Sequence, residues 1–230
     1  MREKTEHIFF DLDHTLWDFH TNSAAAFKRL LAEAHLPVDY ESFMAIYRPV
    51  NLKVWEDYAA GKYTKEQVKI IRLKYTLDRL GIPLPPDEIL RMADRYLELL
   101  AEGTVLFPGA LEILDYLAGK YSLHLLTNGF AEVQYKKIER SGLKPYFRTV
   151  TLSEETGLLK PHPGVFRHAL KKAGAFPHES LMIGDNVQAD VLGAINVGMK
   201  AILFDPDDAA DFPDVIAPAV RHLTELKNLL

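Results

Sequence analysis

The 230-residue chain has no cysteine, which excludes a disulfide framework and any thiolate metal site. A bound metal would have to use oxygen or imidazole ligands. The lack of cysteine also suits a reducing cytoplasm, the expected location. Long hydrophobic runs are missing as well. The longest stretch free of Asp, Glu, Lys and Arg, Tyr121 to Ala131, is about half the ~20 residues needed to span a bilayer, so no membrane partner is expected. The start of the chain, Met1-Arg2-Glu3-Lys4-Thr5-Glu6, carries both signs of charge and leads only to Ile8-Phe9-Phe10 before an Asp. It therefore has no signal-peptide core. Positive charge is scarce: 27 Lys and Arg face 32 Asp and Glu, a net charge of −5 without a basic stripe. That argues against a nucleic-acid polymer as partner. No two histidines share the i, i+4 spacing that grips a transition metal. The remaining composition, 26% charged and 48% hydrophobic, is that of a globular protein with one large domain or a core plus an insertion.

Short apolar runs at His7–Phe10, Ser122–Leu126, Thr149–Leu152, Leu181–Ile183 and Ala201–Phe204 read as strands. Helical patterns at Ala131–Ser141, Gly164–Ala173 and Val187–Val197 follow the second, third and fourth, an alternation that implies a parallel sheet covered on both faces. From about Phe19 to Ala101 the pattern is helical alone. The faces are Leu30, Leu31 and Ala34; Phe43, Ile46 and Tyr47; Val68, Ile71, Arg72 and Tyr75; and Ile89, Met92, Ala93, Tyr96 and Leu97, with Pro49, Gly61 and Gly81–Pro86 as breakers. A helical insertion after the first strand would sit where open α/β sheets bind ligands and could serve as a lid.

Four polar clusters fall at predicted strand ends. Asp11-Leu12-Asp13 follows the first strand, and taken alone it equally suits an acidic turn capping the next helix. Thr127-Asn128-Gly129 resembles a hairpin turn, but the helical pattern after it makes the turn a helix start whose N–H groups suit an anion. Lys160 precedes Pro161 and Pro163 in an apolar stretch, where a solvated lysine is the ordinary reading. Asp185, Asn186 and Asp190 follow the fourth strand. Each acid there could be a cap or a solvated helix residue, whereas several carboxylates at adjacent strand tips make a hard oxygen site for Mg²⁺.

Together and in this order, the four clusters resemble the motifs of the haloacid dehalogenase superfamily of hydrolases. The resemblance implies an α/β fold: a Rossmann-like parallel sheet core from residues 1–18 and 102–230, with residues 19–101 as an inserted helical cap. It implies that Asp11 is a nucleophile that forms an aspartyl-phosphate and that Asp13 is the acid and then the base. Mg²⁺ is implied on the Asp11 carboxylate, the Asp13 backbone carbonyl and Asp185, with Asp190 and Asn186 around them. Thr127, Asn128 and Lys160 are implied as phosphate ligands, and Lys160 also neutralises the nucleophile. The dehalogenases of the family lack the second acid, so Asp13 points to phosphate chemistry. His14 and Trp17, within Asp11 to Phe19, together with Asn22, are similar to the pyrimidine 5′-nucleotidase branch. The expected substrate is thus a small phosphomonoester, a pyrimidine nucleoside monophosphate before all others. A sugar phosphate or phosphoglycolate, or a phosphomutase reaction, is the alternative. Trp17, Asn51 and Trp55 are candidates for the substrate pocket. For Trp55, Tyr58, Tyr63 and Tyr75, packing inside the helical bundle is the ordinary expectation. His14 is expected to pack or hydrogen-bond, and His162 stands where relatives often carry an acid.

Overall fold

The computed structural model describes residues 5–208 and 216–230; residues 1–4 of the charged N-terminal stretch lie outside them. The strands are β1 (His7–Phe10), β2 (Ser122–Thr127), β3 (Thr149–Leu152), β4 (Ser180–Gly184), β5 (Lys200–Phe204) and β6 (Ala219–Val220). The helices are α1 (Phe19–Ala34), α2 (Tyr40–Ala59), α3 (Lys65–Arg79), α4 (Pro86–Leu100), α5 (Ala110–Ala118), α6 (Ala131–Arg140), α7 (Pro163–Ala173) and a single turn α8 (Gly193–Ile195). The chain divides into two compact units, one of Met1–His20 with Thr104–Leu230 and one of Thr21–Gly103. No helix among the described residues is long and apolar enough to cross a membrane.

In the first unit the six strands form one sheet in the order β3-β2-β1-β4-β5-β6, each neighbouring pair parallel. Sheets of this kind are buried on both faces, and the central strands are accordingly buried on both sides, whereas the edge strand β3, Thr-Val-Thr-Leu, alternates. Ile8, Phe9 and Phe10 of β1 are fully buried, as are Leu125 and Leu126 of β2 and Met182 and Ile183 of β4. Phe9, Leu126 and Met182 pack with Val165, Phe166, Ala169 and Leu170 of α7 in one apolar cluster. Register then places the chemistry. His7 pairs with both Ser122 and Ser180, and Phe10 with both Leu125 and Ile183, so the segments that leave β1, β2 and β4 emerge at the same edge.

The Thr21–Gly103 unit is built around aromatic rings. Phe27 stacks on Tyr96 with centroids 4.2 Å apart and meets Tyr47 edge-on at 4.4 Å. Helix α3 opens with a capping box in which Thr64 and Gln67 satisfy each other's backbone N–H. Trp55, Tyr58 and Tyr63 are only half-buried and Tyr75 is exposed, contrary to the expected core packing. The inward face of α2 runs through Phe43, Tyr47, Val50 and Val54, and Trp55 is turned about a quarter of the circumference away from it. Pro49 lies inside α2 and does not break it. The buried face continues on both sides, and packing of that face holds the helix across the missing hydrogen bond.

The segment from Val187 to Val197 also departs from its helical pattern, forming a π-helical turn at Val187–Leu192 followed by α8. Two side chains bond the backbone at the start of this turn. Asn186 accepts from Ala189 N at 2.8 Å, and Asp190 reaches back to accept from Asn186 N at 3.1 Å.

Candidate active site

Lys160 is the hub of the first unit's polar residues. Only 3% exposed, it donates to Asp11 Oδ1 at 2.6 Å, Asp190 Oδ1 at 2.6 Å and the Leu126 carbonyl at 2.9 Å. All three ammonium hydrogens are therefore used within the protein. Burial alone would push this lysine's pKa down, but Asp11 and Asp190 outweigh burial and hold it above its ordinary value. Asn128 fixes the lysine's backbone: its Oδ1 accepts from Lys160 N at 2.8 Å and its Nδ2 donates to Lys160 O at 3.1 Å. Ser153 Oγ completes the staple with a 2.5 Å bond to Asn128 Oδ1.

Asp11 continues β1, its N–H donating to Ile183 O at 2.9 Å. Burial raises its carboxyl, Lys160 pulls it back and Asp190 pushes it up again, leaving its pKa at about 7. Asp185 is raised well above the usual carboxylate range, by burial first and then by the charges of Asp11 and Asp190. Ligand oxygens of Asp11, Asp185 and Asp190 lie within 4.8 Å of one another. One ammonium thus serves a group of three acids, two of which hold their charge only at a cost. A hard divalent cation relieves that imbalance, and an all-oxygen donor set is what it binds. Asp190 is 1% exposed and spends Oδ1 on Lys160 and Oδ2 on Asn186 N. Thr15 Oγ1 donates to Asp185 Oδ1 at 3.3 Å.

Space around Asp190 is tight. A Cβ at Gly184 would lie 2.4 Å from Asp190 Cγ, and both carboxylate oxygens are pinned. Gly184→Ala is therefore expected to cost about 1–3 kcal/mol and to lower turnover with it, because Lys160 loses its second anchor. A thermal melt and an activity assay on the variant check both effects, and an unchanged melt would show that Asp190 is free to move.

Asp13 has partners of its own. Lys137 Nζ donates to its Oδ1 at 2.6 Å and Gln134 Nε2 to its Oδ2 at 2.8 Å. Gln134 Nε2 also donates to Thr127 Oγ1 at 2.8 Å. Neither residue stands out in the sequence, because a Lys and a Gln on a charged helix look solvated. The available signal was their i, i+3 spacing just after the Thr127-Asn128-Gly129 turn.

The structure thus brings together Asp11, Asp13, Thr127, Asn128, Lys160, Asp185, Asn186 and Asp190 in one unit. Trp17, a candidate for the substrate pocket, is buried in this structure. Its ring is 0% exposed, with Lys137 Nζ 4.0 Å from its centroid. The backbone explains this, because Trp17 N donates to Leu12 O and His14 N to Trp17 O, folding the segment back on itself. His14 packs against Phe19 and His20, and burial lowers its pKa to about 4. Asn51 and Trp55 belong to the Thr21–Gly103 unit. Asn51 Oδ1 accepts from Tyr47 Oη at 3.2 Å and Arg72 at 3.4 Å, and Trp55 meets Tyr58 edge-on.

Carboxylates and a buried lysine thus cluster at one end of a parallel α/β sheet that four helices interrupt after β1, the end at which such sheets bind ligands. Residues 5–198 match the haloacid dehalogenase-like hydrolase family, and the chain belongs to it. It is 33% identical to the pyrimidine 5′-nucleotidase YjjG of Escherichia coli (strain K12), over 99% of this chain and 98% of that one. It is 32% identical to a glyceraldehyde 3-phosphate phosphatase of Pyrococcus abyssi, over 86% of this chain and 80% of that one. Among solved structures, the magnesium-bound putative HAD-hydrolase YfnB of Bacillus subtilis superimposes with a TM-score of 0.89 at 28% identity, covering 99% of both chains.

Proposed function

We propose that the protein is a Mg²⁺-dependent phosphomonoesterase acting on pyrimidine nucleoside 5′-monophosphates. The observation that carries the reaction type is the division of labour between the two acids of the β1 loop. Asp11 is bound to a buried ammonium, whereas Asp13 is held by a separate donor pair. Asp11 Oδ attacks phosphorus and the bond to the ester oxygen breaks, with Asp13 giving that oxygen its proton. Asp13 then takes a proton from the attacking water as the acyl-phosphate bond breaks, releasing inorganic phosphate. Thr127, at the end of β2, and the backbone at Asn128, in the turn before α6, hold phosphoryl oxygens, and Lys160 keeps the nucleophile's charge compensated. Mg²⁺ would be held by Asp11, the Asp13 carbonyl and Asp185. When bound, it supplies the positive charge that offsets repulsion between carboxylate and phosphate.

The nucleotide preference is supported by similarity to the E. coli nucleotidase along nearly the whole chain. Asn51 and Trp55 are the proposed contributors to base selection. A sugar-phosphate preference is supported by the archaeal relative. The deciding experiment measures phosphate released from pyrimidine and purine monophosphates, phosphoglycolate and triose and hexose phosphates, with and without Mg²⁺. Mg²⁺-dependent release led by a pyrimidine monophosphate is expected. Release led by a sugar phosphate would overturn the nucleotide assignment and leave the chemistry standing.

A further inference from the structure

We propose that Gln134 and Lys137 are positioning residues that fix the carboxylate of Asp13 for proton transfer, and that Trp17 holds Lys137 in place; the inference rests on the phosphatase reading above. Asp13 lies in a loop and its side chain is 21% exposed, a setting in which a carboxylate would ordinarily sample several rotamers. Here each oxygen has its own donor, Lys137 at 2.6 Å and Gln134 at 2.8 Å. Both donors stand on the same face of α6, so a helix and not the loop sets the carboxylate's orientation. A carboxylate has about four acceptor sites, so the two bonds orient it and leave lone pairs for the leaving group and the water.

Three further features point the same way. The second hydrogen of the Gln134 amide goes to Thr127 Oγ1, tying the acid to the end of β2, where the phosphoryl group is proposed to bind. Lys137 is 1% exposed, and burying an ammonium is costly without compensation. Besides Asp13, its Nζ lies 4.0 Å from the Trp17 centroid and 5.4 Å from that of Phe19, within cation–π range. Finally, a Cβ at Gly129 would come within 2.2 Å of Gln134 Nε2, so the turn after β2 is shaped around this amide.

The test compares Lys137→Met, Lys137→Arg and Gln134→Met on two esters. One is an alkyl phosphomonoester, whose alkoxide must be protonated to leave. The other is p-nitrophenyl phosphate, whose phenolate leaves unaided. Lys137→Met is expected to lower kcat on the alkyl ester about 10²-fold with KM little changed. On the nitrophenyl ester it is expected to give a burst of nitrophenolate and then slow turnover, because the second step still needs the base. Lys137→Arg should restore part of the rate, and Gln134→Met should show a milder form of the same pattern. Equal losses on both esters without a burst, or no loss, would overturn the proposal. Asp13→Asn run in parallel separates the two levels. If the wild type releases phosphate from neither ester, the phosphatase reading falls and the positioning role with it. If Asp13→Asn is impaired and the Lys137 and Gln134 variants are not, only the positioning role falls.

Discussion

Asp11→Asn is expected to abolish turnover, by at least about 10⁴-fold, because no other carboxylate stands at the nucleophile's position. The same variant is expected to melt at a higher temperature than the wild type at pH 8 in the absence of divalent cations. The reason is the direction of the Asp11 shift, from an ordinary carboxylate value up to about 7 through burial and the neighbouring Asp190, only partly offset by Lys160. A group whose folded pKa is raised binds more protons in the folded state than in the unfolded one between the two values. Its contribution to stability is therefore present at low pH and is lost as pH rises towards 7. Asparagine removes that loss. Melting curves in EDTA at pH 5 and pH 8 should show the Asp11→Asn advantage growing with pH, and Mg²⁺ at pH 8 should raise the wild-type melting temperature more than that of the variant. A variant less stable than wild type at pH 8 would mean that Asp11 is fully compensated by Lys160, and that the carboxylate cluster has no need of a cation. Residual hydrolysis within a factor of ten would end its assignment as nucleophile.

The legible parts of this molecule are those where one residue type has one physical use. An unbroken apolar run such as Ile8-Phe9-Phe10 has few homes outside a doubly covered sheet, and the polar residues that interrupt such runs mark the strand ends where the chemistry gathers. Asp11 and Asp185 stood at such ends, whereas Lys160, ordinarily a solvated lysine, was singled out only by the order of all four clusters and the family resemblance it carries. Lys137 was not, because a lysine on a helix is ordinarily solvated, and only tertiary structure shows a carboxylate and an indole ring beside it. The burial of Trp17 was equally illegible: its place in sequence puts it beside Asp11 and Asp13, but only the backbone bonds that fold the segment back show the ring enclosed. The Val187–Val197 stretch had helical periodicity, and it winds as a π turn capped by Asn186 and then α8, a difference of winding that periodicity does not resolve. Pro49 failed as a breaker because a breaker acts locally, whereas the face from Phe43 to Val54 is held by packing.

Lys160→Met tests the same cluster from the opposite charge. It leaves the buried carboxylates of Asp11 and Asp190 without the ammonium both of them bind, a change expected to cost about 3–5 kcal/mol and most of the activity. The cost should depend on pH. Lys160 is the interaction that lowers the Asp11 carboxyl, so without it that carboxyl rises further and the loss of stability with rising pH becomes steeper. The variant should therefore approach the wild-type melting temperature near pH 5 and fall well below it at pH 8. Removing the opposing charge as well should repair part of the damage: in the Lys160→Met background Asp11→Asn is expected to stabilise at pH 8 by more than it stabilises the wild type, although both variants are inactive. That non-additivity is the signature of a direct charge pair. If the two substitutions simply add, or if the Lys160→Met deficit is the same at pH 5 and pH 8, Lys160 acts through packing, and the electrostatic account of how the site holds three acids together fails.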